Sequence, residues 1–212
     1  MPMTPEEFAA ARDRLQKELV LVHDIWEQYQ TFFAHSAERI DMLNSLAGWF
    51  FGSLQRVFLQ ETILGISRVT DPFTTYGHQN LVMATLLQDP ALDQLPEFRE
   101  RLGVAIAAAT DAAGPIRIHR NKYIAHLDHA TAVGELDEPL PGLKRSAITA
   151  CITALEGAYN LHNGRLHNTE SRFDISSLNS APAIVRLLES SERWRKLREL
   201  RAKDPPPQGG AV

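Results

Sequence analysis

The chain has a single cysteine, Cys151. An intramolecular disulfide is therefore impossible, and no cysteine metal cluster can form. No run approaches the roughly 18 apolar residues that a membrane span needs. The longest candidate, Leu46 to Leu59, is broken by Gly48, Gly52, Ser53, Gln55 and Arg56. The start, Met1-Pro2-Met3-Thr4-Pro5-Glu6-Glu7, lacks the basic opening and apolar stretch of a signal peptide. These absences lead us to expect a cytoplasmic protein with no membrane association. No segment alternates apolar and polar residues with a period of two, and no repeat is visible. Net positive charge is missing as well: the formal charge is −4, which excludes a general polyanion binder and leaves only a local basic patch for that role.

What is present suits a buried helical core. Apolar residues make up 44 % of the chain and charged residues 23 %, an ordinary globular balance. Thr4-Pro5-Glu6-Glu7 reads as a helix start, with Thr4 as cap, Pro5 at the first helical position and Glu7 closing a capping box. Phe8, Leu15, Val22 and Tyr29 step by seven, as do Leu19, Trp26 and Phe33. That spacing keeps one stripe on one helix face and predicts a helix from Pro5 to Phe33.

A second helix is expected from near Asp41 to near Val69, stopped by Thr70-Asp71-Pro72. Trp49-Phe50-Phe51 within it reads as a core or dimer-interface cluster. A loop carrying Thr74, Thr75, Gly77 and His78 follows, then a short helix over Leu81 to Leu87 capped by Asn80. The helix from Pro96 should kink or break at Gly114-Pro115. After a turn-rich stretch, His129 to Gly142, another helix is expected over Leu143 to Leu161, with Leu143, Ala147, Cys151, Leu155 and Ala158 on its inner face. His162 to His167 reads as helix end and loop. A last helix, Pro182 to Leu200, would pack through Ile184, Leu187, Leu188 and Trp194. It is strongly basic, which suits a solvated, ion-paired face better than a binding surface. We expect one all-α domain over residues 1–203, an antiparallel bundle of long helices with an extra C-terminal helix, the informative part being 41–168. Residues 204–212, rich in proline and glycine, are expected to be a disordered tail.

One stretch carries chemistry: Arg120-Asn121-Lys122-Tyr123-Ile124-Ala125-His126. Positions six apart lie about 120° apart around a helix and about 9 Å along it. A long arginine side chain closes much of that gap, or the helix loosens near His126. From Gly114 to His129 three cations, Arg117, Arg120 and Lys122, face one acid, Asp128, with His119, His126 and His129 among them. A basic island of this kind inside an acidic protein suits phosphate. The bland alternative is that Arg120 pairs with an acid from the helix of Glu61 and that His126 caps or fills the bundle. His126-Leu127-Asp128-His129 lacks a companion ligand set, so no metal and no cofactor is expected.

The stretch resembles the motif of the HEPN superfamily, an arginine and a histidine separated by a few residues, the first of them polar. The wider order resembles the AbiU-like abortive-infection branch: Glu61-Thr62-Ile63-Leu64, Arg68-Val69-Thr70-Asp71-Pro72, Asn80-Leu81, Arg120-Asn121-Lys122, Ala125-His126 and Asp128. The resemblance runs from residue 61 to 128. It implies a helical bundle that pairs as a homodimer, and a metal-independent endoribonuclease of the toxin or phage-defence kind. RNA is then the substrate, and an antitoxin protein a possible partner. Carried over, Arg120, Asn121 and His126 would be catalytic. Glu61, Arg68, Asp71 and Asp128 would support them, and Arg117, His119 and Lys122 would bind phosphate. Catalytically silent members of the superfamily imply the alternative, a HEPN dimerisation module that binds a partner protein or nucleotide.

Overall fold

A computed structural model of the chain describes residues 3–125, 142–173 and 181–203. The fold is all-α. The helices are α1 (Pro5–Phe33), α2 (Ala37–Thr70), α3 (Pro96–Ala112), α4 (Gly114–His119), α5 (Arg145–His167) and α6 (Ala181–Lys203). Two 3-10 turns, Met83–Gln88 and Pro90–Gln94, precede α3, and a π-helical turn, Arg120–Ala125, continues α4. The chain divides into two compact units. One takes Met1–Trp26 and Phe58–Ile175; the other takes Glu27–Val57 and Ser176–Val212.

The N-terminal cap forms as its residues dictate. The Glu7 amide donates to Thr4 Oγ1 at 3.2 Å, and the Thr4 amide donates to Glu7 Oε2 at 2.8 Å, so two otherwise unpaired donors are satisfied reciprocally. Both seven-step series on α1 are buried, from Phe8 to Phe33. In the first unit α2 lies close against α1. A Cβ placed on Gly65 would stand 2.5 Å from Val22 Cγ2, so only glycine permits this approach.

Helix α2 starts earlier than its apolar pattern suggests, at Ala37. Ser36 Oγ accepts the Arg39 amide at 3.3 Å and caps the first turn. The helix is also bent, because Ala47 adopts an extended conformation (φ −162°, ψ 65°). Beyond the predicted Thr70-Asp71-Pro72 stop, the expected loop is a two-residue hairpin. Thr74–Thr75 pairs with His78–Gln79 through a turn in which Tyr76 and Gly77 both have positive φ. Asn80 is not a helix cap. Its Nδ2 donates to the Pro72 carbonyl at 2.7 Å and to Thr75 Oγ1 at 2.8 Å, tying the hairpin to the end of α2.

Gly114-Pro115 ends α3 and opens α4, as proline requires. Helix α3 packs along α5. The buried face of α5 is Ile148, Cys151, Ile152, Leu155, Ala158, Tyr159 and His162, while Ala147 is exposed. The helix runs on past Leu161 to His167, where Asn168, in left-handed conformation (φ 49°), closes it by donating its amide to the Asn163 carbonyl. In the second unit, Arg39 pairs with Glu189 of α6 at 3.2 Å. Helix α6 buries Ala181, Val185 and Glu192, whereas Ile184, Leu187 and Trp194, expected to pack, stand exposed. The aromatic run on α2 divides: Phe51 is buried, and Trp49 and Phe50 are 88 % and 60 % exposed.

Candidate functional site

The C-terminal end of α2 positions the basic stretch. A helix leaves its last carbonyls without intrahelical donors, and they carry partial negative charge. Here two guanidinium groups from the α4 segment meet that end. Arg117 Nη1 donates to the Thr70 carbonyl. Arg120 Nη1 lies 2.8 Å from both Asp71 oxygens, and its Nε donates to Asn121 Oδ1 at 3.0 Å. The Arg120 side chain is 22 % exposed and that of Asp71 28 %. Arg120 is thus held in one direction while part of it still meets solvent.

The turn that carries Arg120 and Asn121 is π-helical, Arg120–Ala125. Such widened turns are rare, occur mostly as single turns inside α-helices, and are frequent at functional sites. They change the angular spacing of side chains without ending the helix, the loosening considered for this motif.

The sequence-predicted set does not all gather here. Arg120, Asn121, Arg117 and Asp71 do. His119 and Lys122 share these turns, half-buried, each with a partner of its own. Glu61 and Arg68 stand elsewhere on α2: Arg68 Nε reaches Glu18 Oε2 of α1 at 4.0 Å, and Asp71 rather than either of them holds Arg120. His126 and Asp128 lie outside the described residues, as do His129 to Pro141 of the expected turn-rich stretch and the tail 204–212.

A second polar cluster was not foreseen. His162 is fully buried on α5, and its Nε2 lies 2.9 Å from Asp89 Oδ2. His167 Nε2 lies 4.0 Å from the same oxygen. Asp89 Oδ1 meanwhile accepts the Ala91 amide at 2.9 Å and caps the second 3-10 turn. Ending α5 at Leu161 concealed the cluster. The signal was the apolar stripe itself, since Leu155, Tyr159 and His162 continue it at steps of four and three. Cys151 is no nucleophile: burial pushes its thiol up to about 11.

Among the described residues no helix is long and apolar enough to cross a membrane. No curated protein and no solved structure matches the chain. The family model of AbiU2, a HEPN-type family, matches residues 5–181, a span that contains the π-helical turn, Asp71 and the arginine-histidine motif. A match over most of the chain decides the matter: the protein belongs to the AbiU2 family of HEPN-type proteins.

Proposed function

We propose that the protein is a metal-independent endoribonuclease of the toxin or phage-defence kind. Its site would form where two copies of the chain bring their motifs together. The observation that carries this reading is Arg120: a part-exposed guanidinium, fixed by Asp71 and Asn121, on a π-helical turn at the start of the family's motif. In this reaction the RNA 2′-OH attacks the adjacent phosphorus, the 5′-oxygen leaves, and a 2′,3′-cyclic phosphate remains. Arg120 would neutralise the charge that grows on the phosphoryl oxygens. His126 would take the 2′-OH proton or give one to the leaving oxygen, since an unperturbed imidazole, with a pKa near ~6.5, can do either near neutral pH. Asn121 would orient the phosphate or the ring, and Arg117, His119 and Lys122 would add local positive charge. Asp128 would support His126. The setting would be the cytoplasm, with RNA as substrate and an antitoxin as a candidate partner.

One observation favours a second reading, a non-catalytic module that binds a partner protein or nucleotide. The Asp71 carboxylate already occupies Arg120 Nη1 and competes with any phosphate.

Purified protein is incubated with total RNA in EDTA, beside His126→Ala, Arg120→Ala and Asp71→Asn. Cleavage by the wild type, none by the first two variants, and intact DNA are the expected results. Asp71→Asn should slow cleavage about ten- to hundredfold, as loss of alignment at a reacting group does. Activity that survives in His126→Ala removes that residue from the site. Absence of cleavage by the wild type, with tighter phosphate binding by Asp71→Asn, selects the binding module.

A further inference from the structure

We propose that Asp89, His162 and His167 bind one divalent transition-metal ion, at a site separate from the Arg120 motif. The three donor atoms, Asp89 Oδ2 and two imidazole nitrogens, all lie within 4.8 Å of one another. Tetrahedral ligands at ordinary zinc bond lengths have neighbouring donor atoms about 3.3 Å apart. The observed separations from Asp89 Oδ2, 2.9 Å to His162 Nε2 and 4.0 Å to His167 Nε2, bracket that value. Opening the shorter by about 0.4 Å and closing the longer by about 0.7 Å would match the tetrahedral spacing.

Proton accounting at His162 points the same way. Its Nε2 faces Asp89 Oδ2, and its Nδ1 faces Asn163 Oδ1 at 3.4 Å. Asn163 Nδ2 donates to Ser171 Oγ at 3.2 Å, and the Asn163 oxygen is the atom turned toward the ring. Both ring nitrogens therefore face oxygen acceptors, and a neutral imidazole has one proton to share between them. A doubly protonated ring would serve both, but at the cost of a full charge on a side chain that is completely buried. A cation on Nε2 resolves the conflict. Nδ1–H then donates to Asn163, the outer hydrogen bond that metal-bound imidazoles generally make. Asp89 is oriented in the same manner, since Oδ1 is committed to the Ala91 amide and Oδ2 is turned to the two rings.

Two imidazoles and one carboxylate suit zinc and its neighbours rather than magnesium or calcium. The Arg12 guanidinium lies near both histidines and opposes a cation, but it is itself paired with Asp13 at 3.1 Å. His167 is 35 % exposed, so the ion would enter from that side and keep water in its fourth position. Bound there, it would clamp the Asp89-Pro90 turn to the last turns of α5, a stabilising role apart from the RNA chemistry.

The test uses the full chain, stripped with a chelator, exchanged into chelator-free buffer, and titrated with Zn²⁺ by calorimetry and with Co²⁺ by visible absorption. One ion per chain is expected, with cobalt bands of four-coordinate intensity and a rise in melting temperature on adding Zn²⁺. His167→Ala, at the exposed edge, should keep the fold. It should lose affinity by more than about tenfold and lose the bands, since even outer partners of a metal site are worth that much. Asp89→Asn should behave alike, and His126→Ala should bind as wild type does. Absence of a stoichiometric ion in the wild type overturns the proposal. So does wild-type affinity in both His167→Ala and Asp89→Asn, or loss of the ion in His126→Ala alone. These outcomes do not depend on RNA cleavage, so the two proposals fail separately.

Discussion

At the residue scale, burial decides what a reactive group can do. Cys151 is the chain's one thiol, enclosed on α5 with its Sγ 4.0 Å from the Ala109 carbonyl. Its pKa rises from 9.0 to about 11 because the thiolate would lose hydration. A thiol reagent at pH 8 should therefore react only as fast as the protein unfolds, with full reaction appearing in denaturant. The sign of the linked stability follows. The folded value lies above the unfolded one, so the contribution is complete below pH 9 and is lost as pH rises toward about 11. Urea midpoints measured across that window should fall for the wild type, and fall less for Cys151→Ala. Equal slopes would mean that other groups control the alkaline limb. Arg120 shows the opposite environment: part-exposed, paired and oriented, it is open to a ligand where Cys151 is not.

At the scale of elements, close packing of α1 and α2 depends on one absent side chain. Glycine inside a helix ordinarily costs about 1 kcal/mol relative to alanine, so Gly65→Ala would stabilise an isolated helix. Here the new Cβ would stand 2.5 Å from Val22 Cγ2, and valine is stiff about χ1. Overpacking should win, and Gly65→Ala should destabilise by about 1–3 kcal/mol in urea denaturation. Combining it with Val22→Ala should recover part of that loss, because the two changes share one contact. A neutral or stabilising Gly65→Ala would show that α2 moves outward freely. The motif element depends on a similar local arrangement. Gly114-Pro115 starts α4, Arg117 and Arg120 bind the end of α2, and the helix widens into a π turn just where Asn121 and Lys122 follow.

At the scale of the whole molecule, the proposed ribonuclease makes activity depend on concentration. If catalysis requires two motifs in one cleft, dilution below the dimer dissociation constant should lower the cleavage rate per chain, and light scattering over the same range should report the mass falling from two chains to one. A rate per chain that stays constant while the mass falls would place a complete site in a single copy.

Local physics was legible in the residues: the Thr4 cap, the α1 stripe, the stop at Thr70-Asp71-Pro72, the break at Gly114-Pro115 and the arginine of the motif. Each depends on side chains and backbone within a few turns of one another, so spacing alone identifies it. The resemblance to the AbiU-like branch also came from order along the chain, from Glu61 to Asp128, and the family match over residues 5–181 bears it out. What lay beyond reach was every pairing between distant segments. Nothing in the order of residues says that Asp71, rather than Glu61 or Arg68, meets Arg120 across 49 positions, or that Asp89 meets His162 across 73. The kink at Ala47 and the exposure of Ile184, Leu187 and Trp194 have the same origin. Which neighbour covers a face, and which charge satisfies another, is decided only once the helices have packed.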